Sequence, residues 1–173
     1  VESMRFADDL EADYIIFHSG TNGMPEEVVR QLAPFADERL LIENKPIRGL
    51  DGSVCVGCVP EELKKIIDGI GHGTGFCLDF GHAICTANTL GEEPLGFIEQ
   101  LMTLQPRLYH LTDGDYYSEL DSHLHYGQGT FPLDRLLGII PSGAKITNEA
   151  KRSDGSSLKE FLEDSKRLEK LAS

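Results

Sequence analysis

No stretch of the 173-residue chain is apolar for long enough to span a bilayer, and its opening, "VESMRFADDLEADY", has neither the basic nor the apolar region of a secretory leader. A surplus of positive charge is missing as well. Sixteen Lys and Arg stand against 29 Asp and Glu, a net charge of −13, so the surface repels a phosphate backbone rather than collecting one. Four cysteines are too few for a disulfide framework in a chain of this size, and Cys77 falls in an apolar run where a reduced, buried thiol is expected. Low-complexity and linker-like segments are absent too. These absences disfavour membrane proteins and nucleic-acid binders, and they lead to the expectation of a soluble, cytoplasmic protein in a reducing compartment. With 40% hydrophobic residues the chain can bury one sizeable core, and a single domain over 1–173 is expected.

What is present is a regular alternation. "DYIIFHSG" reads as a strand, and "MPEEVVRQLAPF" as a helix with proline near its start. "RLLIEN" is the next strand, and "VPEELKKIIDGI" repeats the helix signature with Leu63, Ile66, Ile67 and Ile70 along one face. "GFCLDFGH" then reads as a buried strand, "EPLGFIEQLMTL" as a helix, "RLYHLTDGD" as a strand, "FPLDRLLGII" as a short helix and "AKITNEA" as the last strand. The final helix, "SSLKEFLEDSKRLEKLAS", starts at a serine cap with Glu160 close behind. Continuous apolar strands alternating with helices imply parallel pairing through right-handed crossovers.

The strands end in chemistry. In order, their C-terminal ends carry His18, Glu43, Asp79, His110 and Glu149, each a residue type that ligates metals. In a parallel α/β barrel the strand C-termini converge on one face, so side chains far apart in sequence point into one cavity. A charged residue such as Glu43 directly after Leu40, Leu41 and Ile42 makes sense if it faces that cavity.

The segments "IIFHSG", "LLIEN", "CLDFGHA", "YHLTDGD", "DSHLHYGQG" and "ITNEA", in this order, resemble the C-terminal part of the xylose-isomerase-like barrel superfamily. That superfamily holds sugar isomerases, sugar epimerases and apurinic endonucleases of the endonuclease IV type. The resemblance implies a TIM-barrel type α/β fold and a divalent-metal site built by Glu43, Asp79, His110 and Glu149. It further implies that His18, His82, Asp121 and His123 occupy the positions that complete a three-zinc cluster in the endonuclease branch.

Three carboxylates and one imidazole form a hard, oxygen-rich set suited to manganese, magnesium or cobalt and acceptable to zinc. By resemblance to the isomerases and epimerases, Glu43 and Glu149 are the acid/base pair as well as ligands, whereas Asp79 and His110 are ligands only. The expected substrate is a small sugar or sugar phosphate. The alternatives are a phosphodiesterase of the endonuclease IV type, which the charge opposes, and a barrel relative that binds without catalysis.

A closed barrel has eight strands, and only five strand–helix units are legible here. The expectation is an incomplete barrel: a fragment of a longer protein, or a chain whose open sheet edges are covered by a partner, as in a homo-oligomer. The first residue is Val1, and the histidine that the endonuclease branch takes from an earlier strand has no counterpart. Lys45 has two readings, a cavity-facing cation for a phosphate or hydroxyl and a snorkelling surface lysine. Cys55 and Cys58, just before a helix near Pro60, are read as loop cysteines, the alternative being thiols activated at a helix N-terminus. His72 is expected in a solvated loop. Of His123 and His125, two residues apart, His123 is taken as the inward one on family position. "GQG" at 127–129 allows close backbone approach to a substrate or within a turn. The acidic residues of the last helix, Glu160, Glu163, Asp164 and Glu169, are expected on its solvated outer face.

Overall fold

The computed structural model describes residues 2–153, 155 and 157–171. Five strands, β1 (Ile15–His18), β2 (Leu40–Glu43), β3 (Gly75–Asp79), β4 (Leu108–Leu111) and β5 (Ile146–Asn148), form one sheet in sequence order, and every neighbouring pair is parallel. Helices α1 (Glu2–Asp9), α2 (Pro25–Leu32), α3 (Pro60–Ile70), α4 (Phe80–Leu90), α5 (Pro94–Met102), α6 (Leu133–Ile139) and α7 (Lys159–Leu171) precede, connect and follow the strands. The architecture is an incomplete α/β TIM barrel.

The two-residue period of a strand divides the side chains between two environments. Leu40, Ile42, Phe76, Leu78, Tyr109 and Leu111 join the large core shared with the helices. Leu41, Cys77 and Leu108 form a smaller cluster with Tyr14 and Ile16 on the opposite, inner face. Glu43, Asp79 and His110 stand two residues beyond those three, and so belong to the inner face at the C-terminal end of the sheet. Among the described residues, the outermost strands β1 and β5 each pair on one side only, and neither contains a fully buried residue.

Two local features differ from the sequence reading. The strand expected over 75–82 stops at Asp79, whose carboxylate accepts the His82 N–H at 2.7 Å and caps α4 directly, with no intervening loop. Helix α4 carries little amphipathic signal because Phe80 through Ala87 are all buried, so periodicity alone does not announce it. The second difference is Asp164, expected on the solvated side of α7 but 1% exposed. It accepts hydrogen bonds from His125 Nδ1 at 2.6 Å and Asn148 Nδ2 at 3.1 Å, tying α7 to the end of β5 and to the loop before α6. Glu163 and Glu169 are exposed as expected, and Glu160 is half-buried. Ser157 Oγ accepts the Lys159 N–H at 3.1 Å at the start of α7. Ser156, Ala172 and Ser173 of the helix expected there lie outside the described residues.

The loop between β4 and α6 is organised by Asp113, which is 1% exposed. One carboxylate oxygen accepts the N–H groups of Gly114 and Phe131 at 2.8 and 3.1 Å, and the other those of Gly127 and Gly129 at 2.8 and 3.0 Å. Gly129 fits because a Cβ there would stand 2.3 Å from the Gly114 carbonyl oxygen. The close approach that "GQG" permits is therefore to the protein's own turn. Asp121 and His123 sit on this anchored loop. Asp113→Ala orphans two buried and two part-buried donors, the buried ones at a cost of about 1–3 kcal/mol each; an overall loss of about 3 kcal/mol in urea unfolding is expected.

Candidate metal centre

Glu43, Asp79, His110 and Glu149 each bring one donor atom to within 4.8 Å of all the others. Glu43 ends β2 and Asp79 ends β3; His110 is one residue short of the end of β4, and Glu149 is one residue past β5. Glu43 is the hub: its Oε2 lies 3.0 Å from His18 Nε2 and 3.3 Å from His110 Nδ1, and its Oε1 lies 3.1 Å from His82 Nδ1. His110 Nδ1 is also 3.1 Å from Glu149 Oε1. The sequence-predicted quartet is thus brought together, with His18 at its edge.

A second triad, His82, Asp121 and His123, adjoins the first. Asp121 Oδ2 is 2.7 Å from His123 Nε2 and 3.4 Å from His82 Nε2. His123 Nδ1 pairs with the Glu149 carbonyl at 3.1 Å and His82 Nδ1 with the Asn44 carbonyl at 2.9 Å. When both Nδ1 atoms carry the proton, both Nε2 lone pairs point at Asp121, the usual outer-shell arrangement for ligating imidazoles.

The inner atoms test whether a cation fits. Among the described residues, Glu43 Oε1, His110 Nδ1 and Asp121 Oδ2 are buried and lack a well-directed hydrogen-bond partner, although charged groups surround each. Lone pairs that converge in a dry site without donors suit a positive ion between them. Three carboxylates and an imidazole favour a hard or borderline divalent ion at the first set. Two imidazoles and a carboxylate suit zinc at the second.

Charge explains how the carboxylates and imidazoles of the cluster coexist. Burial pushes the Glu43 carboxyl up, but contacts with His110, His18 and His82 outweigh it and hold the group well below the usual carboxylate range. Burial, with Glu43 and Asp121 nearby, raises Asp79 despite the opposing charge of His82. Burial drives His82 down, yet Asp79 and Glu43 more than reverse this and lift it to about 9. Burial likewise opposes protonation of His110, whereas Glu43 and Glu149 favour it and raise it overall. Asp121 raises His123.

Asn44 is the residue whose role the sequence reading missed. Its side chain donates to the Asp79 carbonyl at 2.9 Å and accepts the Asp79 N–H at 2.8 Å, fixing Asp79 against Glu43. Its only signal in the sequence is an amide following an apolar strand. Lys45 is half-buried, and no hydrogen bond or ion pair joins its ammonium to another described residue. Its charge nevertheless opposes protonation of His82. His72 lies in a turn with φ +51°. Cys55 and Cys58 are buried, and the Cys58 thiol donates to the Cys55 and Pro46 carbonyls. Burial pushes Cys58 up to about 12, the reverse of an activated helix-terminal thiol.

Residues 1–171 match the model of the xylose isomerase-like TIM barrel family. The chain belongs to that family. It is 29% identical over 141 residues to the probable endonuclease 4 of Thermoplasma volcanium, a match covering 75% of this chain and 49% of that protein. The chain therefore spans about half the length of this curated relative. Among solved structures, the TTHB071 protein from Thermus thermophilus, soaked with ZnCl2, is 23% identical with a TM-score of 0.57, covering 95% of this chain and 66% of that one. A xylose isomerase domain protein from Alicyclobacillus acidocaldarius is 19% identical with a TM-score of 0.67, covering 98% and 67%. Both share the fold. Members of the family are metal-dependent, and this chain keeps residue groups able to ligate a metal. No described helix is long and apolar enough to cross a membrane.

The raised His82 predicts a signature of the metal-free protein. A folded-state pKa of about 9 against an ordinary 6.5 makes the proton stabilising, fully so below about 6.5, and this contribution disappears as pH rises through 9. With chelator present, the melting temperature should fall by several degrees between pH 7 and 10. With zinc or manganese the dependence should flatten or invert, because the ion replaces the proton. Circular-dichroism melts across the pH range check both.

Proposed function

We propose that the chain carries the metal-binding strands of a divalent-metal-dependent sugar or sugar-phosphate isomerase or epimerase, with Glu43, Asp79, His110 and Glu149 as ligands. The carrying observation is the asymmetry of the two glutamates. Glu43 is 1% exposed and held ionised by three imidazoles, the condition of a ligand. The Glu149 side chain is 32% exposed and faces a cleft of about 670 Å³ that Glu43, His110 and Thr147 also line. It is the carboxylate a substrate reaches.

A bound divalent ion supplies Lewis acidity to adjacent carbonyl and hydroxyl oxygens. Glu149 takes the proton from the carbon beside the carbonyl and returns it on the same face to the neighbouring carbon, which completes an isomerisation; an epimerisation needs a second proton carrier on the opposite face. Glu43 holds its charge throughout, and Asn44 keeps Asp79 in register with it. His18, half-exposed beside Glu43, is placed to meet a hydroxyl. The net charge of −13 favours a small substrate over a polyanion. Four free cysteines support a cytoplasmic setting, and the continuous sheet supports a single domain over 1–173.

A second reading has its own observation. The triad of His82, Asp121 and His123 provides another metal position beside the first, and two adjacent ions are a common basis for phosphodiester hydrolysis. The similarity to a probable endonuclease 4 supports this reading as well.

Two measurements separate the readings. In heavy water, the manganese-loaded full-length protein should place deuterium beside the carbonyl of at least one sugar or sugar phosphate in a broad panel. Glu149→Gln should reduce that exchange by at least about a hundredfold. Absence of exchange, together with two or more tightly held zinc ions per chain and cleavage of abasic DNA, would move hydrolysis to first place. Glu149→Gln should also weaken manganese binding by at least about tenfold in calorimetry.

A further inference from the structure

Cys77 is fully buried on β3, two residues before Asp79, and so faces the same inner side of the sheet. Register places it directly beside Glu43 on β2 and Leu108 on β4, two residues before His110. Its sulfur, a Glu43 oxygen and a His110 nitrogen all lie within 4.8 Å of one another. A tetrahedral zinc shell needs donors about 3.5 Å apart, and Glu43 Oε2 and His110 Nδ1 already stand at 3.3 Å. The cysteine is not the only indication of a ligand. Among the described residues, Glu43 Oε1 and His110 Nδ1 are buried atoms without a well-directed hydrogen-bond partner, on residues 1% and 3% exposed.

We infer that Glu43, Cys77 and His110 form a second, thiophilic metal position beneath the carboxylate-rich one, suited to zinc- or cadmium-class ions. This inference rests on the reading of Glu43 and His110 as ligands. The two positions share those residues and differ in the rest: Asp79 and Glu149 complete the hard set, and the Cys77 thiolate replaces them in the soft one. On binding, the Cys77 S–H bond breaks, its proton leaves to solvent, and a sulfur–metal bond forms with no change of oxidation state. The positions are mutually exclusive. A soft ion drawn to the thiolate withdraws Glu43 and His110 from the mouth of the cleft and leaves Glu149 without the ion it works beside. Without an ion the thiol is inert, since burial and the surrounding carboxylates of Glu43, Asp79 and Glu149 push it up.

Cadmium titration of the full chain, followed by near-ultraviolet absorption, reads the sulfur bond directly. One thiolate-to-cadmium charge-transfer band per chain is expected, retained when Cys55, Cys58 and Cys85 are all changed to serine and lost in Cys77→Ser. Cys77→Ser should still bind manganese within about twofold of the parent, since its hard set is intact. Cadmium should displace manganese from the parent, as seen in the electron paramagnetic resonance of the released ion. Cadmium NMR of the unaltered chain provides the same test without a variant, because a sulfur ligand moves the resonance far from its oxygen-and-nitrogen position. A cadmium-loaded parent with no sulfur signature, or a band that survives Cys77→Ser, overturns the inference and leaves the hard site standing. Failure to bind manganese and cadmium alike overturns both.

Discussion

Everything at the top of this sheet answers to one electrostatic constraint: Glu43, Asp79, Asp121 and Glu149 are gathered into a small, largely dry volume. Like charges at this spacing do not coexist in a low-dielectric site without positive charge among them. Histidines supply it. His18, His82, His110 and His123 interleave with the carboxylates, with side-chain nitrogen–oxygen distances from 2.7 to 3.6 Å. Once deprotonated, His82, His110 and His123 offer nitrogen donors able to ligate a cation. The raised His82, His110 and His123 express the pull of these carboxylates on the imidazole protons.

Such a cluster is costly to assemble, and much of the surrounding polar structure holds it in place. Asn44 bridges β2 and β3 with two hydrogen bonds at the level of Glu43 and Asp79. Asp113 gathers four backbone N–H groups to shape the loop that presents Asp121 and His123. Asp164 reaches from α7 to His125 and Asn148, the latter adjoining Glu149. Each of these is a buried polar group whose removal leaves neighbours unsatisfied, so each holds the neighbouring cluster in a defined position. The apolar core behind the sheet supplies the platform, and the polar contacts supply the aim.

The sheet is open where a closed barrel would continue. β1 and β5 have neighbours on one side only, and the cleft beside Glu149 is bounded by Asp13 and Tyr14 near one edge and by Lys145 and Thr147 near the other. Under the proton-transfer role proposed for Glu149, water exclusion and substrate orientation depend on what stands there.

Alternating strands and helices were legible in order because apolar runs, proline-led helix starts and polar strand ends are local properties. The parallel half-barrel and the residues His18, Glu43, Asp79, His110 and Glu149 followed from them, since strand ends share one face whenever the strands are parallel. The sequence alone did not determine helix α4, which is buried on every side and so lacks periodicity. It did not determine Asp164 either, which turns fully inward to a histidine 39 positions away while Glu163 and Glu169 on the same helix are solvated. The roles of Asn44, Asp113 and Cys77 likewise depend on which strand lies beside which and in what register. Local patterning sets which elements form and which face each residue takes. Only the tertiary fold decides which side chains of different strands meet, because contacts over long sequence separations are decided by packing.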